Sequence, residues 1–149
     1  MRALIQRVTA ASVNVDGNTV GNIDEGLLVY LGICRGDTTV DVDYIAGKIV
    51  GLRIFDDEQG KMNLNVIQVD AGLLVVSQFT LCASTRKGTR LSYINAALPD
   101  EARAVYGHFV DTLSRKRNSK ISTGVFQAHM HVKSINDGPV TIMLDSKNR

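Results

Sequence analysis

The sequence predicts an α+β fold in which curled, barrel-like β-sheets form the core and two long helices pack outside it. About seven segments have the composition and alternation of strands, and they outnumber the helical segments. The strands also do not alternate with helices as regular βαβ units. A chain of 149 residues suits a single domain, residues 1–149, built around one hydrophobic core.

The first part of the chain is predicted to be β-structure. Segments 2–8 and 11–15 are rich in β-branched residues, and the turn sequence Asp16-Gly17-Asn18 indicates a hairpin with 19–23. The continuous apolar run 27–33 is typical of a strand that is buried on both faces.

Two helices are predicted from their caps and apolar spacing. The first, over 39–51, has N-cap candidates at Asp37, Thr38 and Thr39 and repeats apolar residues at helical spacing. The second begins at Pro99, a favoured first helical residue that two acidic residues follow. Its predicted buried stripe is Val105, Phe109 and Leu113.

The remaining segments are predicted as strands and connections. Residues 73–79 form an apolar strand, and the loop 83–90 follows it without periodicity. Apolar and polar residues alternate over 126–132, which predicts a strand with one buried face. A tight turn at 136–139 then leads into the last strand, 140–144.

Composition and the distribution of apolar residues predict a folded protein and its location in the cell. Apolar residues make up 44% and charged residues 21% of the chain, the balance of a folded protein rather than a disordered one. No apolar run approaches the roughly 20 residues that span a bilayer. The opening segment 1–10 has the pattern of a strand rather than a signal peptide, so we expect a cytoplasmic location and no membrane contact.

The two cysteines, Cys34 and Cys82, each lie in or beside an apolar, strand-like run. A disulfide is rare in a reducing compartment. Neither cysteine has the nearby base and positive field that a catalytic thiol needs. We therefore predict two buried free thiols.

Positive charge is clustered, although the net charge is only +2. Such clusters can hold nucleic-acid phosphates, but they are also typical of a solvated face without a partner, and charge alone favours the second interpretation. The clusters are Arg86, Lys87 and Arg90; Arg115, Lys116, Arg117 and Lys120; and Lys147 with Arg149.

The sequence offers little for metal, nucleotide-cofactor or serine-hydrolase chemistry. His129 and His131 would share one strand face, but two ligands do not make a zinc site, so we predict no metal. His108 lies in the second helix, and the chain has no Gly-X-Ser-X-Gly nucleophile motif. Phosphate-binding glycine loops are also absent from the sequence, and we expect no cofactor.

Two polar segments are candidates for a functional site. Ser77-Gln78-Phe79-Thr80 lies where an apolar strand ends, and backbone N–H groups there are free of the sheet. Asn136-Asp137-Gly138-Pro139 is a turn whose X-Pro bond can be cis at modest cost. Taken singly, each also fits an ordinary strand end or tight turn.

Together, these segments resemble the two signature motifs of the D-aminoacyl-tRNA deacylase family, also called D-tyrosyl-tRNA deacylase. VVSQFTL (75–81) is similar to the first motif and NDGPVT (136–141) to the second. Other similar segments follow in the family order: ALIQRVTAASV (3–13), GLLVYLGI (26–33), GLRIFDDEQGKMNLN (51–65) and TGVFQAHMHV (123–132). The chain departs from the family at 90–93, where Arg-Leu-Ser-Tyr replaces the usual Arg-Pro-Ser-Phe.

The resemblance implies a homodimer that hydrolyses the ester joining a D-amino acid to the 3′-terminal adenosine of tRNA. The Gly138–Pro139 turn of one subunit, with a cis bond, would enter the pocket of the other, and its carbonyls would meet the substrate's α-amino group. The resemblance assigns catalysis to Ser77, Gln78, Phe79 and Thr80. It assigns substrate binding and chiral selection to Gly138, Pro139, Asn136, Arg7 and Met130.

Within these roles, Ser77 and Gln78 would line the adenosine pocket, and backbone N–H groups at Phe79 and Thr80 would face the scissile carbonyl. Arg7 would hold the Gly-Pro turn in place. Two mechanisms are open: Thr80 attacks as a nucleophile, or the 2′-OH of the terminal ribose assists hydrolysis. No His, Asp or Glu lies within several residues of Thr80 to activate it, which favours the second.

A pocket of backbone carbonyls and proline would exclude an L side chain by steric clash. It would accept different D side chains, and it would also accept glycine. Two alternatives to this function remain. One is a small RNA-binding module without catalysis, and the other is a relative with a trans Gly-Pro bond that edits L-amino acids, whose motifs differ from those of this chain.

Overall fold

A computed structural model of the chain describes residues 1–86 and 88–149, so Lys87 of the predicted basic clusters lies outside the described residues. Its main sheet is nearly closed like a barrel, and two helices contribute to the core beside it. The predicted α+β class, with a barrel-like sheet and two long helices, is confirmed.

The described residues form eight strands: β1 (Arg2–Val15), β2 (Asn18–Ile23), β3 (Gly26–Gly32), β4 (Phe55–Asp56), β5 (Met62–Leu64), β6 (Gly72–Ser77), β7 (Ser122–Thr123) and β8 (His131–Asp145). β1 is central because it pairs antiparallel with β2, β3 and β8. β6 runs parallel to both β3 and β7. The Ser122 hydroxyl donates to the Asn22 carbonyl of β2 at 2.8 Å, which brings the far ends of the sheet together.

The N-terminal hairpin is confirmed, but the predicted strands 2–8 and 11–15 are one continuous strand, β1. Asp16 and Gly17 have φ values of 49° and 82°, the positive values that a two-residue hairpin turn requires. β3 and β6 are almost fully buried, as their apolar runs predict. β6 ends at Ser77, two residues before the predicted end of that strand.

The two helices, α1 (Thr39–Gly51) and α2 (Pro99–Arg117), begin where the sequence predicts. Thr38 is the N-cap of α1, and its backbone N–H donates to the Asp41 carboxylate at 2.8 Å. Phe109 and Leu113 of α2 are fully buried against the sheet, and burial of each stabilises the fold by about 1.5–3 kcal/mol. Neither described helix has the length and apolar character needed to cross a bilayer.

The predicted strand over 126–132 is wrong for most of its length. Of the residues in this predicted strand, only His131 and Val132 belong to β8. Before them the chain makes a turn over 125–128, in which the Ala128 N–H donates to the Val125 carbonyl at 3.2 Å. The alternating pattern arises because this segment places its half-buried side chains along a pocket rather than along a sheet face.

The prediction of two free thiols is also wrong. Cys34, just after β3, and Cys82, in the short 3₁₀ helix Phe79–Cys82, form a disulfide with Cα atoms 5.7 Å apart. The two segments approach closely because Gly32 has no side chain; a Cβ there would lie 2.9 Å from the Leu81 Cβ. The cysteines are 48 residues apart in sequence, so local sequence context did not reveal the contact.

Removal of this disulfide is expected to destabilise the protein. Cross-links that close loops of this size typically raise the unfolding free energy by about 2–4 kcal/mol. The double variant Cys34→Ala/Cys82→Ala should unfold at a lower urea concentration than the oxidised wild type, and a reductant should lower only the wild-type midpoint. A wild-type midpoint that does not respond to reductant, together with two titratable thiols, would contradict the assignment.

Candidate active site

A cavity of about 530 Å³ opens where β6 ends, a volume in the range of small-ligand sites. The strand end contributes Ser77, Gln78 and Phe79, the start of α2 contributes Pro99, and the segment 126–130 contributes further lining, with Met130 among it. The fold therefore brings Met130 to the same cavity as three of the four residues predicted to be catalytic.

The sheet ends at Gln78, whose backbone N–H donates to the Leu31 carbonyl at 2.7 Å. From there the chain enters the 3₁₀ helix Phe79–Cys82. The first N–H groups of a helix have no partner within it. Among the described residues, the backbone N–H groups of Phe79 and Thr80 donate to no backbone carbonyl outside that helix and to no side chain. They are thus available to stabilise a negatively charged oxygen.

The Thr80 side chain lies beside an amide rather than a base. Its hydroxyl oxygen accepts a hydrogen bond from the Gln78 Nε2 at 2.5 Å. A carboxamide does not take a proton from a hydroxyl at neutral pH. Among the described residues, the only side-chain hydrogen-bond partner of the Thr80 hydroxyl is therefore not the base that a threonine nucleophile needs.

Three contacts hold the 3₁₀ helix in place. The Arg2 Nη1 donates to the Leu81 carbonyl at 2.9 Å, and the Cys34–Cys82 disulfide joins the helix to the end of β3. The close packing over Gly32 is the third contact. A segment anchored in this way keeps its backbone donors in fixed positions, as electrostatic stabilisation of a transition state requires.

The predicted turn 136–139 lies within one strand rather than between two. β8 pairs with β1 on both sides of it, Asn136 opposite Val8 and Thr141 opposite Gln6. The four residues 137–140 therefore face the single residue Arg7, and they form an excursion from the sheet. The Gly138–Pro139 bond is cis, as the family resemblance implies.

Arg7 is buried directly beneath this excursion, with 8% of its surface exposed. Its Nε lies 2.8 Å from the Asp137 Oδ2, and its Nη1 donates to the Ile54 carbonyl at 2.6 Å. A second carboxylate oxygen, on Asp56, lies 3.6 Å from Nη1. Arg7 thus ties the excursion to the segment before β4 through charge-assisted contacts.

Among the described residues, those that line the cavity do not include the turn of the same chain. Gly138 and Pro139 are not among the described residues that line the cavity, whereas Met130 is. Asn136 bridges the base of the turn, since its Nδ2 donates to the Thr141 Oγ1 at 3.0 Å. The buried Oδ1 of Asn136 has no hydrogen-bond partner among the described residues.

Comparison with known proteins decides the family. The family model described as D-Tyr-tRNA(Tyr) deacylase matches residues 4–145. This chain belongs to that family. The D-aminoacyl-tRNA deacylase of Thermosipho africanus is 54% identical over 99% of this chain and 98% of its own length. That of Flavobacterium johnsoniae is 54% identical over 100% of this chain and 99% of its own length.

Two solved structures are similar to this chain over almost its whole length. A structure described as a c-Myc DNA Unwinding Element Binding Protein matches with a TM-score of 0.93 and 39% identity, covering 97% of this chain and 98% of its own. Another, described as a probable eukaryotic D-amino acid tRNA deacylase, matches over 96% of this chain and 97% of its own with a TM-score of 0.82 and 17% identity, which shows a shared fold. The resemblance and the enzyme class, a deacylase, are confirmed.

Some parts of the candidate site were not identified from sequence. The contribution of Asp56 to the Arg7 contacts was missed, because nothing in the sequence links residues 7 and 56. Phe126 and Gln127 were assigned to a strand rather than to the pocket wall. The segment TGVFQAHMHV was the available signal, since it is similar to a family segment and contains Met130, but only Met130 of it was assigned to the site.

The two histidines that we considered as metal ligands do lie together. The rings of His129 and His131 are 5.1 Å apart in an edge-to-face arrangement. Over residues 1–86 and 88–149, no three His, Cys, Asp or Glu side chains are grouped to hold an ion. The absence of a metal requirement in this deacylase stays a prediction.

Proposed function

We propose that this chain hydrolyses the ester between a D-amino acid and the 3′-terminal adenosine of tRNA, a proofreading activity that releases the free amino acid and the tRNA. The observation that carries the proposal is the pair of available N–H groups at Phe79 and Thr80, beside a cavity large enough for a nucleoside. Ser77 and Gln78 line that cavity with polar side chains. Family membership agrees with a tRNA ester as substrate.

In the proposed reaction, a water oxygen adds to the ester carbonyl carbon, and the carbonyl oxygen becomes negatively charged. The N–H groups of Phe79 and Thr80 stabilise that oxygen. Collapse of the intermediate breaks the bond to the ribose 3′-oxygen, which leaves with the proton that the attacking water gives up. The neighbouring 2′-OH can both donate and accept a hydrogen bond, and it transfers this proton. Thr80 does not take that role, because its hydroxyl is bonded to the Gln78 amide and not to a base.

Chiral selection is proposed to come from the Gly138–Pro139 turn. In this proposal the turn carbonyls meet the α-amino group of the substrate. Glycine at 138 lets the turn keep its shape, because a Cβ there would lie 2.8 Å from the Val140 Cγ2. Arg7 supports the turn from below through Asp137. An L side chain would clash with the turn, and glycine would pass because it has none.

The turn is proposed to act in the pocket of a second subunit, which makes the active form a homodimer. The cavity of one chain lacks the turn among its described lining residues. β8, which carries the turn, also presents Ile135 and Met143 at 63% and 53% exposure, and exposed apolar side chains favour burial in an interface. We propose that the dimer acts in the cytoplasm.

A direct assay tests the function. The wild type should hydrolyse D-Tyr-tRNA with a kcat/KM at least about 100-fold above that for L-Tyr-tRNA, a difference of about 2.7 kcal/mol. Gly-tRNA should also be hydrolysed, and prior treatment with EDTA should leave the rate unchanged. Retention of tRNA without ester loss would instead favour an RNA-binding module, and preferential hydrolysis of L-Tyr-tRNA would favour an editing enzyme of opposite chirality.

A further inference from the structure

The turn 125–128 forms part of the cavity wall in a strained backbone conformation. Phe126, Gln127 and Ala128 all line the cavity. Gln127 has a φ of 66°, a left-handed value that residues other than glycine, asparagine and aspartate rarely adopt. Such a conformation persists only where its surroundings hold it. The contacts that hold this turn therefore determine part of the pocket's shape.

Arg103 of α2 supplies two of those contacts. Its Nη2 donates to the Gln127 Oε1 at 2.6 Å. Its guanidinium carbon also lies 4.9 Å from the centre of the Phe126 ring, within the range of a cation–π interaction. Arg103 is exposed, and exposed contacts of this kind add little to global stability. We therefore expect their effect to be local to the turn.

Tyr106 lies three residues after Arg103 in α2 and connects the turn 125–128 to β6. Its ring centre lies 5.5 Å from that of Phe126, and its hydroxyl donates to the Val75 carbonyl at 3.0 Å. Burial raises the pKa of Tyr106 to about 12, so the hydroxyl keeps its proton. Val75 lies in β6 two residues before Ser77, which places the turn, α2 and the strand end in one connected set of contacts.

We propose that Arg103 is a positioning residue of the pocket: by holding Phe126 and Gln127 it fixes the turn 125–128 and sets the affinity for the terminal nucleoside of the substrate. It does not touch the reacting atoms. The inference rests on the proposed function, because it concerns the binding of the same substrate in the same cavity.

The first test is kinetic. Arg103→Ala should raise the KM for D-Tyr-tRNA about three- to tenfold and leave kcat within about twofold, since the lost contacts shape the pocket but not the oxyanion donors. The melting temperature should change by less than about 2 °C. The matched control is Lys48→Ala, which removes one charge and one exposed contact to an aromatic ring, Tyr44, on α1 away from the cavity. Its KM should equal that of the wild type.

A phosphate-free substrate separates positioning from direct contact with RNA. The 3′-O-D-tyrosyl ester of adenosine carries no phosphate, so an arginine that holds the turn affects its KM as much as that of D-Tyr-tRNA. An Arg103→Ala effect that appears with tRNA and vanishes with the adenosine ester would assign Arg103 to a backbone phosphate and overturn the proposal.

A double-mutant cycle tests the contact itself. Arg103→Ala and Gln127→Ala should each raise the KM, and the double variant should resemble the worse single one, because both break the same contact. Fully additive effects would overturn the proposal, as would an Arg103→Ala KM equal to that of the wild type. A wild type that hydrolyses neither D-tyrosyl substrate would instead refute the proposed function. Binding of adenosine alone to wild type and Arg103→Ala, measured by calorimetry, would then still test the positioning role.

Discussion

Gly138→Ala is expected to lower kcat/KM for D-Tyr-tRNA by at least about 100-fold while the protein stays folded. Gly138 has a φ of 111°, where an L residue is strained. A Cβ there would lie 2.8 Å from the Val140 Cγ2 and 3.3 Å from the Arg7 Nη2. The turn must then shift, and a displacement of about 1 Å at a substrate-positioning element costs on the order of 100-fold in rate. Single-turnover deacylation measures the loss, and circular dichroism checks the fold.

The matched control is Gly60→Ala. Gly60 has a φ of 71°, so alanine also meets a backbone penalty there, but nothing lies within 4 Å of the added Cβ. It lies between β4 and β5, away from the described lining of the cavity. We expect somewhat lower stability and unchanged kcat/KM. Equal activity losses in the two variants would show that the effect at Gly138 is general strain and not loss of substrate placement.

Mixing two inactive variants tests whether the turn acts across the dimer. Phe79→Pro removes one proposed oxyanion donor but leaves the turn intact, whereas Gly138→Ala does the reverse. Random reassociation gives heterodimers in half of the molecules, each with one complete site, so about a quarter of the wild-type activity should return. No recovery after demonstrated subunit exchange would place the turn and the pocket of one site in the same chain.

Replacing the terminal 2′-OH of the substrate by hydrogen is expected to slow hydrolysis by at least about 100-fold, a larger loss than Thr80→Ala causes. Thr80→Ala keeps the backbone N–H and removes only a hydroxyl bonded to the Gln78 amide, so its loss should stay below about tenfold. Both are measured as single-turnover deacylation of D-Tyr-tRNA. An inactive Thr80→Ala with normal hydrolysis of the 2′-deoxy substrate would reverse the assignment and make Thr80 the nucleophile.

Substitutions at Phe79 distinguish the contribution of its ring to the rate from that of its backbone N–H. Proline is tolerated at a first helical position because the N–H there lacks an internal partner. The preceding residue, Gln78, has φ −143° and ψ 77°, which lies outside the α region that proline disfavours before it. Phe79→Pro should cost about 100- to 1000-fold in kcat, the usual effect of losing one oxyanion donor, and Phe79→Ala much less. Equal effects of the two would assign the loss to the ring.

The helices and the buried strands could be predicted because their signals are local. Pro99 and the N-cap at Thr38 fix where α2 and α1 begin, and the predicted range 39–51 is the observed one. The two motifs could be assigned a role only through resemblance, since a strand end and a turn have no chemical pattern of their own. What failed depends on distant contacts, as with the disulfide between Cys34 and Cys82.

The segment 126–132 failed for a different reason. Alternation of apolar and polar residues indicates which side chains are buried, but it does not indicate which part of the structure buries them. Here a cavity wall takes the place of a sheet face, and the left-handed Gln127 that makes the turn is not a residue type that signals one. Arg103, which holds that turn, is an exposed basic residue of a helix, and only the structure distinguishes it from its neighbours.

The pairing of β8 with the same strand on either side of 137–140 has a consequence for how this protein can change over time. The parts of β8 on either side of the excursion each pair with β1. Insertions, deletions and substitutions within the excursion therefore leave the rest of the sheet in place. Asp137 and Val140 also contact the buried Arg7 and the core, so thermal stability and cellular abundance respond to them but carry little information about Gly138 and Pro139. Variants that lose discrimination between mirror-image substrates should accumulate unnoticed in any screen based on expression or melting temperature, and only selection for accurate translation would remove them.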